Sequence, residues 1–84
     1  MPRKATEYVG GTVSCYDNEG YSAHGKVLDV TFDDNGVSVV AMFDGYTKPT
    51  YLYCDYQFGR HSSEENGFSC RIGFSNESFH VSKP

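Results

Sequence analysis

The side chains of this 84-residue chain with the greatest chemical reach are three cysteines, three histidines and a dense set of aromatics. Cys15, Cys54 and Cys70 lack C-x-x-C spacing, and His24, His61 and His80 are isolated rather than set at the H-x-x-x-H interval from which two imidazoles share a metal ion. We therefore expect no metal site and no cofactor. Three thiols cannot all pair within one chain, and each cysteine falls at an apolar phase of an extended run: Cys15 with Val13, Cys54 with Leu52, Cys70 with Phe68 and Ile72. The expectation is three small buried thiols in a reducing compartment, with one disulfide and a leftover thiol as the alternative. His61-Ser62-Ser63-Glu64 contains the letters of a base, a nucleophile and an acid. It lies in the polar stretch 59–67, expected to be an exposed loop, which does not hold such groups within hydrogen-bond reach. A G-x-S-x-G elbow and a glycine-rich phosphate loop are both missing. No catalysis is expected.

The aromatics are more informative. Seven tyrosines, six phenylalanines, no tryptophan and nine glycines suit a small, twisted antiparallel β-protein. Tyr51 and Tyr53 share one phase of a strand, and tyrosine combines a large contact area with a polar tip at little rotamer entropy. We expect that face to dock on a protein. A net charge of -4 with scattered basic residues argues against a phosphate-binding surface. A single-stranded nucleic-acid surface, the alternative, needs Lys26, Lys48, Arg60 and Arg71 to converge beside the aromatic rings.

The elements that position these residues centre on the stretch 25–58. Asp33-Asp34-Asn35-Gly36 separates two β-branched runs, and Asn-Gly is a strong hairpin signal because both residues tolerate positive φ. Leu28, Val30 and Phe32 alternate with Val27, Asp29 and Thr31, the period of a half-buried strand. Val37 to Phe43 is apolar on both faces, as a central strand requires. A second turn from Asp44 leads past Pro49 to a strand over Thr50 to Tyr56. Thr12 to Tyr16 is a first strand, and Asp17-Asn18-Glu19-Gly20 a turn. Tyr21 to His24 then runs through Gly25, where a bend or bulge is expected, into the hairpin. Phe68, Cys70, Ile72 and Phe74 alternate with polar residues, Ser75-Asn76-Glu77-Ser78 turns the chain, and Phe79 to Val81 adds a last strand. Residues 1–8 are expected to be a flexible lead-in, or one that hugs a sheet edge with Tyr8 and Val9 as its tie. The whole is expected to be a single all-β domain, a small antiparallel SH3-like barrel of five to six strands.

Within it, Tyr16-Asp17-Asn18-Glu19-Gly20-Tyr21-Ser22-Ala23 and Phe43-Asp44-Gly45-Tyr46 carry a resemblance. From Gly11 to Asp55 the order of a glycine-led strand, an aromatic, an acidic-Gly turn, a hairpin and F-x-G-Y resembles the Tudor branch of the SH3-like barrels. The resemblance implies that Tyr16, Tyr21, Phe43 and Tyr46 meet at one end of the barrel. In that family such a box holds a methylated lysine or arginine by cation-π attraction. Here Tyr16 stands where tryptophan is frequent, and Lys48 near the last ring would repel a cation.

The reading reached from the residues is a non-enzymatic module that docks on a protein through a tyrosine-rich face, as adaptor or inhibitor. Its size and charge fit a small viral or bacterial accessory protein. No apolar run approaches the roughly 20 residues needed to cross a bilayer. The segment MPRKATEY has no hydrophobic stretch behind its basic residues, so a soluble cytoplasmic protein is expected. It is expected as a monomer, or as a homodimer joined through an open sheet edge.

Overall fold

The computed structural model describes residues 2–17, 19–72 and 77–84. Eight strands build it: β1 (Arg3–Lys4), β2 (Thr12–Tyr16), β3 (Ser22–Phe32), β4 (Gly36–Phe43), β5 (Thr50–Asp55), β6 (Arg60–Glu64), β7 (Gly67–Arg71) and β8 (Ser78–Ser82), with one 3-10 turn over Thr6–Tyr8. They form one antiparallel sheet in the order β5-β4-β3-β2-β8-β7-β6, and β1 pairs with the second half of β3. Among the described residues no helix is long and apolar enough to cross a membrane.

The sheet curls because β3, its longest strand, changes phase. Val27 pairs with Ala41 but Asp29 pairs with Val40, so Leu28 is an extra residue without a partner on β4. This bulge puts Leu28 outside and lets Val27 and Val30, three residues apart, both reach the interior. The bend expected at Gly25 therefore sits three residues further on. Gly25 meets a different need, since a Cβ there would stand 2.5 Å from the Met42 carbonyl oxygen and 2.8 Å from the Phe43 Cα. On β4, Val37, Val39, Ala41 and Phe43 face inward while Ser38, Val40 and Met42 face outward, half-buried, as a central strand should.

The structure corrects several expectations. No ladder joins β5 to β6, so the sheet is not a closed barrel, and among the described residues it has eight strands rather than five or six. The two edges approach at one place, where the Cys54 Sγ lies 3.8 Å from the carbonyl oxygens of both Arg60 and Arg71. Residues 59–67 are not a loop but supply strand β6 and a two-residue turn, Glu65 and Asn66, into β7. Of the two readings of the lead-in, the edge-hugging one holds: β1 pairs with β3, Ala5 is fully buried, and the Ala5 N–H donates to the Val30 carbonyl at 2.8 Å. The hairpin over Asp33–Gly36 forms as expected, but Asn35 and Gly36 do not take the positive φ expected of them. Asp33 closes the turn, its Oδ1 accepting the N–H groups of Asn35 (2.7 Å) and Gly36 (2.8 Å). Gly36 already belongs to β4, where a Cβ would collide with the Cys54 carbonyl oxygen and crowd the Tyr53 ring. The end of the Phe68 run at Phe74 and the turn residues Asn18, Ser75 and Asn76 lie outside the described residues.

The core is small and valine-rich. Val13, Val27, Val30, Val37, Val39 and Val81 are fully buried, closed by Phe68 and Phe79. One end is filled by rings: Phe68 meets Tyr8 edge-on at 5.1 Å and Phe32 at 5.3 Å, with His61 at 5.3 Å from Phe68 and 5.8 Å from Phe32. Phe68 thus joins the packed chain start, β3 and the β6–β7 hairpin. Phe68→Ala is expected to cost about 3–5 kcal/mol, read as a lower urea midpoint with unchanged slope.

Candidate binding surface

Two turns present the predicted aromatic cluster. In the first, Asp17 Oδ1 accepts the N–H groups of Glu19 and Tyr21, both at 2.9 Å, while the Asp17 N–H donates to the Tyr21 carbonyl. Tyr16 and Tyr21 are thereby held on either side of a tight bend that Gly20, at φ 86, allows. In the second, the Tyr46 N–H donates to the Phe43 carbonyl at 3.0 Å across Asp44-Gly45, with Gly45 at φ 85. That turn sets the Tyr46 ring 6.2 Å from Phe43.

Tyr16, Tyr21 and Tyr46 border one concavity of about 390 Å³ with Cys15, Ala23, Leu52 and Ile72 on its apolar side and Asp17 and Glu77 among its acids. The three tyrosines are exposed, Tyr21 at 71% and Tyr46 at 63%. Phe43 differs: it is 5% exposed, belongs to the core and does not line the concavity. Three of the four expected rings therefore share a site, and the fourth supports one of them. Lys48 is not among the lining residues.

The sheet-face pair sits on β5, with Tyr51 opposite Val40 and Tyr53 opposite Ser38. Tyr51 is 77% exposed, and Tyr53 lies against Gly36. The outer rows of β3 and β4 continue this face with Leu28, Val40 and Met42. Of the four basic residues that a nucleic-acid surface needs, Arg60 and Arg71 stand directly opposite one another on β6 and β7. Lys26 on β3 lines a separate hollow with His24 and Asp44.

The letters of 61–64 do not form a reactive set, because the His61 ring packs among Phe32, Tyr56 and Phe68. Its Nε2 is buried without a hydrogen-bond partner among the described residues. The fold assembles a different Ser-His-Glu group, which the sequence reading missed. Ser69 Oγ lies 2.7 Å from His80 Nδ1 and donates to Glu64 Oε1 at 2.8 Å, while Glu64 Oε2 is 3.6 Å from the same Nδ1. Both partners meet one ring nitrogen, so the imidazole stands beside the hydroxyl and carboxylate rather than between them, and the geometry of a proton relay is not formed. Among the described residues no group of three or more His, Cys, Asp or Glu is placed to hold a metal ion.

All three cysteines are free thiols. Burial pushes Cys15, beside the concavity, from the ordinary 9.0 up to about 11. Burial likewise raises Cys54 and Cys70, both buried in the core. A group whose folded value lies above its unfolded one stabilises the fold fully below the unfolded value and loses that contribution as pH rises towards the folded value. Stability is thus expected to fall from about pH 9 upward, with Cys15→Ala showing a smaller decline than the parent between pH 9 and 11 in thermal melts. Tyr21→Ala and Tyr46→Ala are expected to shift stability by no more than about 0.5 kcal/mol, and Phe43→Ala to cost about 3–5 kcal/mol in urea titration.

No protein-family model, curated protein or solved structure matches the chain, so its own geometry carries the functional reading.

Proposed function

We propose that this chain is a non-enzymatic binding module that docks on a protein partner through its tyrosines, acting as adaptor or inhibitor. The observation that carries this reading is the border of the concavity, where Tyr16, Tyr21 and Tyr46 stand exposed on rigid turns around an apolar side. A tyrosine carries a large contact area on only two side-chain torsions, so it loses little freedom on binding, and the backbone hydrogen bonds of the turns fix where each ring is presented. Tyr51 and Tyr53, on the outer face of β5, supply a second tyrosine surface for the same task. Cytoplasmic action suits the three free thiols.

A second reading, a Tudor-type reader of methylated lysine or arginine, is favoured by one observation: the concavity that the three rings border is also lined by two acidic residues, Asp17 and Glu77. Acids and ring faces together attract a cation.

The test is affinity capture from source-cell lysate treated with nuclease, comparing the parent chain with Tyr46→Ala and Tyr51→Ala. Docking requires a stoichiometric protein retained by the parent and depleted by at least one variant. Capture of that protein only when its lysines or arginines are methylated supports the second reading. Retention of nucleic acid alone, lost on nuclease treatment and weakened steeply by salt, overturns both.

A further inference from the structure

The free edge of β5 is a self-complementary strand. Hydrogen bonds at the ends of the ladders fix which backbone groups face which neighbour. The Tyr56 N–H donates to the Asn35 carbonyl, which continues the β4–β5 register of Gly36 opposite Asp55. In an antiparallel ladder bonded pairs alternate, so Val37 with Cys54, Val39 with Leu52 and Ala41 with Thr50 exchange bonds. The N–H and C=O groups of Tyr51 and Tyr53 therefore face away from β4. No described strand pairs with them. This edge also lacks the usual protections, for the span Thr50–Cys54 carries no charge, no proline and no bulge.

From these facts we infer that the protein forms a two-fold homodimer by antiparallel pairing of β5 with β5 of a second copy, Tyr51 opposite Tyr53 and Leu52 opposite Leu52. The register is set from both ends. Pro49 has no N–H to give, and the Asp55 carbonyl already accepts from the Phe58 and Gly59 N–H groups. Only Tyr51 and Tyr53 remain, and pairing each with the other uses both donors and both acceptors on each chain. In that register Pro49 faces Asp55 of the second copy, which brings Lys48 of one chain beside Asp55 of the other at both ends of the strand pair. This is local charge complementarity on a chain that is otherwise net negative. The dimer also merges two tyrosine faces into one, with four rings on the same side. It goes beyond the docking reading and is tested on the purified chain alone.

Sedimentation equilibrium measures it. The expected result is a concentration-dependent mass reaching twice the 9.4 kDa of one chain. Tyr51→Pro deletes an outward N–H and no bond to β4, so it is expected to leave a folded monomer by circular dichroism. Lys48→Glu, at an exposed position in the turn before β5, is expected to weaken the dimer by about tenfold, the order of two surface ion pairs lost together. A single-chain mass up to millimolar concentration overturns the inference, as does a dimer that neither substitution weakens. The first result would leave the edge open to an extended segment of another protein.

Discussion

One sheet can enclose a core only if it bends sharply enough to face itself, and here the bend depends on the extra residue at Leu28. Without it, a strict period of two would place Val27 and Val30 on opposite faces. With it, the first half of β3 serves β2 and the second half serves β1, while β4 follows along its other side. Both halves then point their valines to the same interior. The tyrosine turns depend on the same device, since Tyr16, Ser22 and Phe43 reach one end of the sheet while Phe32, Tyr8 and Phe68 close the other.

The all-β character and most strand positions were legible because their inward residues are apolar and alternate. That holds for Val13 and Cys15, for Val37 to Phe43, for Leu52 and Cys54, and for Phe68 and Cys70. Strand β6 escaped because its inward residue is His61, an imidazole among rings, and the rest of the strand is polar. Its hairpin did carry a signal, Asn66-Gly67, which was overshadowed by the surrounding charge. The packed start escaped for another reason: its one fully buried residue is Ala5, too small to show a period. At the candidate site, Phe43 was grouped with the exposed rings although its phase with Val37, Val39 and Ala41 already directed it inward.

The outer surface divides along the sheet. Across β3, β2, β8 and β7 it carries a row of short polar pairs, with Ser14 Oγ 2.9 Å from His24 Nδ1 and Ser69 Oγ 2.7 Å from His80 Nδ1, and the register places Ser14 opposite His80 between them. Hydroxyls and imidazoles satisfied by their own neighbours offer a partner little that water does not. Across β4 and β5 the outward residues include Val40, Met42, Tyr51 and Tyr53 beside Ser38, and desolvating their apolar area is favourable. The division gives the molecule one side suited to solvent and one suited to contact.

The pairing of β2 with β8 sets a condition on how the chain reaches this state. Thr12 lies opposite Ser82, and Tyr16 opposite Ser78, so the ladder that unites the two halves of the sheet joins residues near opposite ends of the sequence. Closing so long a loop costs entropy before any bond repays it, which places the molecule among slow-folding topologies. During synthesis the β3–β4–β5 meander and the β6–β7 hairpin have local partners and are free to form early. The core they share waits for Phe79 and Val81, so the nascent protein exposes its valines until its final strand has left the ribosome.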